Sequence, residues 1–163
     1  KPRNPKESLF AHGGMRCILV RGAILTVSVL IAYIAAFWLN GAYSFAEIKA
    51  IAEASPDVLH QAQTMAFTTL AFGELFHMFA MRNTEKSSFT VFGSGNVMMF
   101  AAFFVGIALQ FAVIEIPALQ MIFNTANLSG FEWLITAICS LLPLIWQEAT
   151  ALYKAIKKRV HKA

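Results

Sequence analysis

Four apolar runs divide the chain: Cys17 to Leu39, Ala62 to Met81, Val97 to Ile114 and Trp133 to Leu152. Each approaches the ~20 residues with which an α-helix crosses a hydrocarbon core of about 30 Å. The pattern predicts an all-α fold: a polytopic membrane protein with four transmembrane helices in an antiparallel bundle. One membrane domain covers 1–163, with spans at about 17–39, 62–82, 97–115 and 132–153. Between the first two runs, SFAEIKAIAEA predicts one short amphipathic helix that Pro56 stops, and Pro117 closes the third span.

Composition narrows the class further. The 163 residues are 58% hydrophobic and only 13% charged, against roughly 45–50% and about 25% for a soluble chain. A soluble enzyme, a disordered segment and a secreted disulfide scaffold are excluded. Lys1, Arg3, Lys6, Arg16 and Arg21 precede or open the first span, Arg82 and Lys86 lie between the second and third, and Lys154, Lys157, Lys158, Arg159 and Lys162 follow the fourth. Twelve of the thirteen basic residues thus fall on one side, with only Lys49 opposite. The positive-inside rule then makes the protein multi-pass, with both termini and the Arg82–Lys86 loop cytoplasmic. The same rule accounts for the net charge of +4 with the lipid bilayer as partner and no nucleic acid. Trp38, Tyr43, Trp133, Trp146 and Tyr153 sit near the boundaries as interfacial anchors, and Gly22, Ser28, Gly73 and Gly106 are small enough to let helices approach. Cys17 and Cys139 share no metal or redox spacing and read as small buried thiols. A chain opening at Lys1, without Met or a signal segment, is expected to be a piece of a longer one.

Polar residues inside the spans carry the chemistry. Glu74 stands mid-span in TMAFTTLAFGELFHMFAMR, eight residues before Arg82, or roughly 12 Å from that end of the helix at about 1.5 Å per residue. A charge at the bilayer centre costs on the order of 2.5–3.5 kcal/mol by insertion scales, so such a residue usually faces a bundle interior and marks an ion path, proton relay or ion pair. Glu74 is thus either a cation ligand or proton carrier, or a structural carboxyl, protonated or paired with an Arg21 that snorkels toward it. His77 shares its helix face. Glu-x-x-His is half of the di-metal carboxylate motif, but Glu115 and Glu148 lie near opposite boundaries and His12, His60 and His161 lie outside the spans. A neutral, hydrogen-bonded His77 is the favoured reading. Gln110 is expected to make an interhelical hydrogen bond. Glu148 is expected to reach the interface or a neighbour such as Lys154. The chain has no phosphate-binding loop, nucleophile elbow or catalytic carboxylate pair, so no catalytic residue is expected in it.

These residues also resemble a known family. KPRNPKESLF is similar to the basic cytoplasmic loop before the seventh membrane helix of type II P-type cation ATPases. AQTMAFTTLAFGELFHMFAMRN resembles their eighth helix, NVMMFAAFFVGIALQFAVIEIPALQMIF the ninth with its exit, and FEWLITAICSLLPLIWQEATALYK the tenth. The likeness is to sarcoplasmic-reticulum-type calcium-transporting ATPases, whose eighth helix carries one glutamate that helps bind a transported Ca²⁺. Glu74 occupies that place. The resemblance implies the C-terminal membrane domain of an ATP-driven pump, with Ca²⁺ as transported ion and Glu74 part of an incomplete cation site. Lys1, Arg3 and Lys6 would belong to a loop that couples to the phosphorylation domain, and Arg21 and His77 would be structural partners of the site. Mg²⁺ and ATP would act only through cytoplasmic domains, and the other partners would be the pump's remaining helices. The alternative is a self-contained four-helix integral membrane protein without enzymatic activity, in which Glu74 is structural or binds a metal or proton.

Overall fold

The computed structural model describes residues 14–82 and 97–160, all helix and short connections. Lys1, Arg3, Lys6 and Lys86 lie outside the described residues. The elements are α1 (Gly14–Leu39), α2 (Phe45–Ala54), α3 (Pro56–Arg82), α4 (Val97–Glu115), α5 (Pro117–Phe123) and α6 (Gly130–Val160).

Local chemistry sets each boundary. α1 ends as Gly41 takes φ +83° and turns the chain back, so that the Ala42 and Gly41 amides reach the Phe37 and Trp38 carbonyls. This is the Schellman arrangement, and its Phe37–Ala42 pair is buried in the core. Ser44 and Glu47 then form a capping box at the start of α2: Glu47 accepts from the Ser44 amide at 2.9 Å and the Ser44 hydroxyl accepts from the Glu47 amide at 3.3 Å. Pro56 does more than stop α2. As the first residue of α3, where its missing amide costs nothing, it starts the next helix six residues before the predicted span. Pro117 likewise ends α4 and opens α5.

α1, α3 and α6 each pack against the other two, while α4 leans on α3 and α5. The register runs antiparallel between α1 and α3 and between α3 and α4. Leu25 fills the space a side chain on Gly73 would need, and Leu75 does the same at Gly106. Those two glycines permit close approach as predicted, whereas Gly22 faces open space. The core gathers Ala36, Phe37, Ala42, Ala62, Met65, Ile114 and Leu128 at the end where the connections meet.

The chain is an all-α membrane domain. Met15–Leu39, Val97–Glu115 and Gly130–Lys154 are long and apolar enough to cross a bilayer. α3 has the length, at 27 residues, but Thr64, Thr68, Thr69, Glu74 and His77 leave it short of the same apolarity. Two smaller expectations need correction. Cys139 is buried but Cys17 is exposed, because it lies on the first turns of α1, beyond the reach of the core. Trp133 is more than a boundary anchor: its ring stacks on Phe111 at 4.4 Å and its indole Nε1 donates to Glu115 Oε1 at 3.0 Å.

Candidate functional site

α3 presents different chemistry on different faces. Thr64, Thr68, Thr69 and Phe72 are buried. One residue beyond the buried Gly73, a rotation of about 100° (3.6 residues per turn) brings Glu74 outward. There it is exposed, in a stripe with Phe67 and Leu70, which are 41% and 44% exposed. The expected interior placement is therefore not what this chain alone provides. Among the described residues, α1, α4 and α6 cover the other sides of α3 and leave this stripe open.

The surroundings of Glu74 are specific. No hydrogen bond or ion pair engages its carboxylate among the described residues. Arg21 does not reach it: the guanidinium Nη2 donates to Gln147 Oε1 on α6 at 2.6 Å. His77, half-buried one turn from Glu74, lies within electrostatic reach of both Glu74 and Arg21. Arg21, Glu74 and His77 thus share one end of the bundle, joined there by Gln147, which no sequence pattern marks. Arg21 has a further interaction besides its bond to Gln147, and the neighbouring Glu148 also has one. Among the described residues no three His, Cys, Asp or Glu side chains converge as a metal site.

A second polar system occupies the opposite end of α3. The Thr64 hydroxyl donates to the His60 carbonyl at 2.9 Å and accepts from the Ala126 amide at 2.9 Å. Thr68 donates to the Thr64 carbonyl at 2.8 Å and accepts from Gln110 Nε2 at 3.3 Å, which is the interhelical bond expected of Gln110. His60 Nε2 meets the carbonyl of Asn124, whose backbone is left-handed at φ 51°. Pro117 has no amide to offer the Val113 carbonyl, and Thr125 Oγ1 supplies the missing donor at 2.7 Å. Gln120 Nε2 donates to the next carbonyl, that of Ile114. At the start of α6, Ser129 and the buried Glu132 form a second capping box, with bonds of 2.7 and 3.4 Å. These bonds satisfy backbone groups that apolar surroundings would otherwise leave at a cost of several kcal/mol each, on the order of the hydrocarbon penalty. Their role is to hold the helices, and they leave the α3 carboxylate outside the network.

Comparison with known proteins places this geometry. A family model described as "Cation transporting ATPase, C-terminus" matches residues 1–153. Calcium-transporting ATPase 1 of Bacillus cereus is 33% identical over 156 residues, covering 94% of this chain and 17% of the relative. The calcium-transporting ATPase of Bacillus subtilis is 32% identical over 143 residues, covering 88% and 14%. The calcium-transporting ATPase type 2C member 2 of Rattus norvegicus is 28% identical over 134 residues, covering 82% and 13%. The chain therefore spans about a sixth or less of the length of these curated relatives.

Proposed function

The chain belongs to the family of cation-transporting ATPase C-termini, and from that premise we propose that it is the C-terminal membrane bundle of a P-type pump for Ca²⁺, with Glu74 as one ligand of the transported ion. In this reading α3 crosses the bilayer as a fourth span, both termini face the cytoplasm, and residues beyond this chain cover the Glu74 stripe. ATP and Mg²⁺ act on the pump's cytoplasmic domains, and Lys1, Arg3 and Lys6 help couple those domains to the bundle.

The observation that carries the proposal is an uncommitted carboxylate two-thirds of the way along a 27-residue helix, on a side of that helix that the described neighbours leave open. A carboxylate left there to lipid would cost on the order of 2.5–3.5 kcal/mol. A divalent cation removes that cost, provided that other ligands share it. Ca²⁺ takes six to eight hard oxygen ligands, so one carboxylate makes an open-sided contribution to a site completed by helices elsewhere in the pump. Arg21, one turn away in register, bonds to Gln147 of α6 and makes no ion pair with Glu74.

The test is Glu74→Gln in the complete pump, read by Ca²⁺-dependent phosphoenzyme formation. Loss of the charge should raise the Ca²⁺ concentration for half-maximal phosphoenzyme by roughly tenfold or more, about 1.4 kcal/mol of site affinity. An unchanged calcium dependence would remove Glu74 from the coordination shell.

A further inference from the structure

Antiparallel packing places Arg21 near the candidate ion ligand. Leu25 of α1 packs onto Gly73 of α3, with Leu25 Cδ1 2.6 Å from where a Cβ would stand. Arg21 lies one turn from Leu25 on α1, and His77 lies one turn from Gly73 on α3. Because the helices run in opposite directions, those turns lead to the same level. Glu74 adjoins Gly73, so its backbone lies about one turn along α3 from the level of Arg21. An ion pair between Arg21 and Glu74 is the arrangement that unopposed electrostatics would favour. It does not form. The guanidinium is turned to α6, where the buried Gln147 accepts its hydrogen bond at 2.6 Å.

We infer that Gln147 is a positioning residue: by holding the Arg21 guanidinium on α6 it keeps that cation off Glu74 and leaves the carboxylate to the transported ion. This rests on the assignment of Glu74 as a cation ligand. A neutral amide suits the task, since it fixes the guanidinium by geometry without neutralising it. Released, the guanidinium would compete with Ca²⁺ for the same oxygens, because an opposite charge at about 4–6 Å favours the ionised carboxylate as a bound cation does.

The experiment uses the complete pump and reads phosphoenzyme against Ca²⁺ concentration. Gln147→Leu, close in size but unable to accept the bond, should shift half-maximal phosphoenzyme to Ca²⁺ concentrations on the order of tenfold higher, with the level at saturating Ca²⁺ retained. Gln147→Glu, which still accepts the guanidinium, should hold the parent's calcium dependence. Adding Arg21→Met to Gln147→Leu should reverse the shift, an outcome that a merely structural role for Gln147 would not produce. Where Gln147→Leu yields no phosphoenzyme at saturating Ca²⁺, Gln147→Met serves in its place. The inference is overturned if the apolar variant leaves the calcium dependence unmoved, or if Arg21→Met fails to restore it. When Glu74→Gln alters calcium dependence and Gln147→Leu does not, the positioning role falls and the Glu74 ligand stands. When neither does, both fall.

Discussion

Two threonines in similarly buried positions should respond in opposite directions to the same substitution. Thr125 is 6% exposed and its hydroxyl donates to the Val113 carbonyl at 2.7 Å, a near-ideal length. Thr69 is fully buried, at 0% exposure, and its Oγ1 has no hydrogen-bond partner among the described residues. Valine matches threonine in shape and removes only the hydroxyl. At position 125 it strands a carbonyl whose ordinary helical donor is already absent, because residue 117 is proline. An unsatisfied buried acceptor costs about 1–3 kcal/mol, while hydrogen bonds between membrane helices average about 0.6 kcal/mol because the unfolded chain finds other partners. The Val113 carbonyl has lost its usual partner, so Thr125→Val should destabilise by about 1–2 kcal/mol, between those limits. At position 69 the same change relieves the burial of an unpaired hydroxyl, itself a cost of about 1–3 kcal/mol. Thr69→Val should therefore be neutral or stabilising by up to about 1 kcal/mol, once relaxation of the wild-type site is allowed for. The assay is reversible unfolding of the chain in mixed micelles with increasing dodecyl sulfate, followed by tryptophan fluorescence. A neutral Thr125→Val, or two substitutions of the same sign, would show that the Pro117 vacancy does not govern the stability of this turn.

Gly106→Val should loosen α4 from α3, because the new Cβ would lie 2.7 Å and 3.1 Å from the two methyls of Leu75. The expected cost is about 1–3 kcal/mol, as for overpacked cores, with Leu75→Ala recovering part of it in a double-mutant cycle. Ser44→Ala should cost about 1 kcal/mol by removing the α2 cap, measured in the same unfolding assay. The pH dependence of that cap has a definite sign. Hydrogen bonds from the Tyr43 amide, then the Ser44 amide and hydroxyl, hold the Glu47 carboxyl below its ordinary 4.5. Its contribution is therefore fully present above that value and lost as pH falls through the lowered one. Glu47→Gln should flatten stability across that acidic window while leaving it unchanged in shape near neutrality, and an identical acid limb in both proteins would contradict the assignment.

Apolar periodicity and proline position make most of this fold legible in sequence. What escapes them is whatever depends on partners distant along the chain. The α2 helix could be read because Ser44 and Glu47 carry their capping chemistry within three residues. α5 is not legible in the sequence because Pro117 has two local meanings, terminator and first helical residue, and the bonds from Thr125 and Gln120 to carbonyls of α4 choose between them. Gln147 gave no signal at all. A single amide near the end of an apolar run looks like interface chemistry, and its partner Arg21 is 126 positions away. Similarly, Gly22, Gly73 and Gly106 are indistinguishable by composition, yet only the last two meet a leucine from another helix.

Glu74 marks the boundary of what local reasoning can do. The cost of a charge in hydrocarbon argues for an enclosed carboxylate, but that argument does not say which helices do the enclosing. In α3 the inward positions are already committed: Gly73 to Leu25, Phe72 to the ring of Trp133, and Thr68 to Gln110. No rotation of the helix could turn Glu74 inward without turning those contacts out, because residues one apart differ by about 100° around the axis. The packing that secures the bundle therefore turns the carboxylate to the open side, and under the proposed assignment its desolvation is offset by a cation seated there. Phe67 and Leu70 beside it favour a packed helix over bulk water, and the carboxylate requires that the joint include a cation or a donor. An open stripe that combines apolar flanks with one uncommitted acid is thus what an ion site shared between helices should look like from one side.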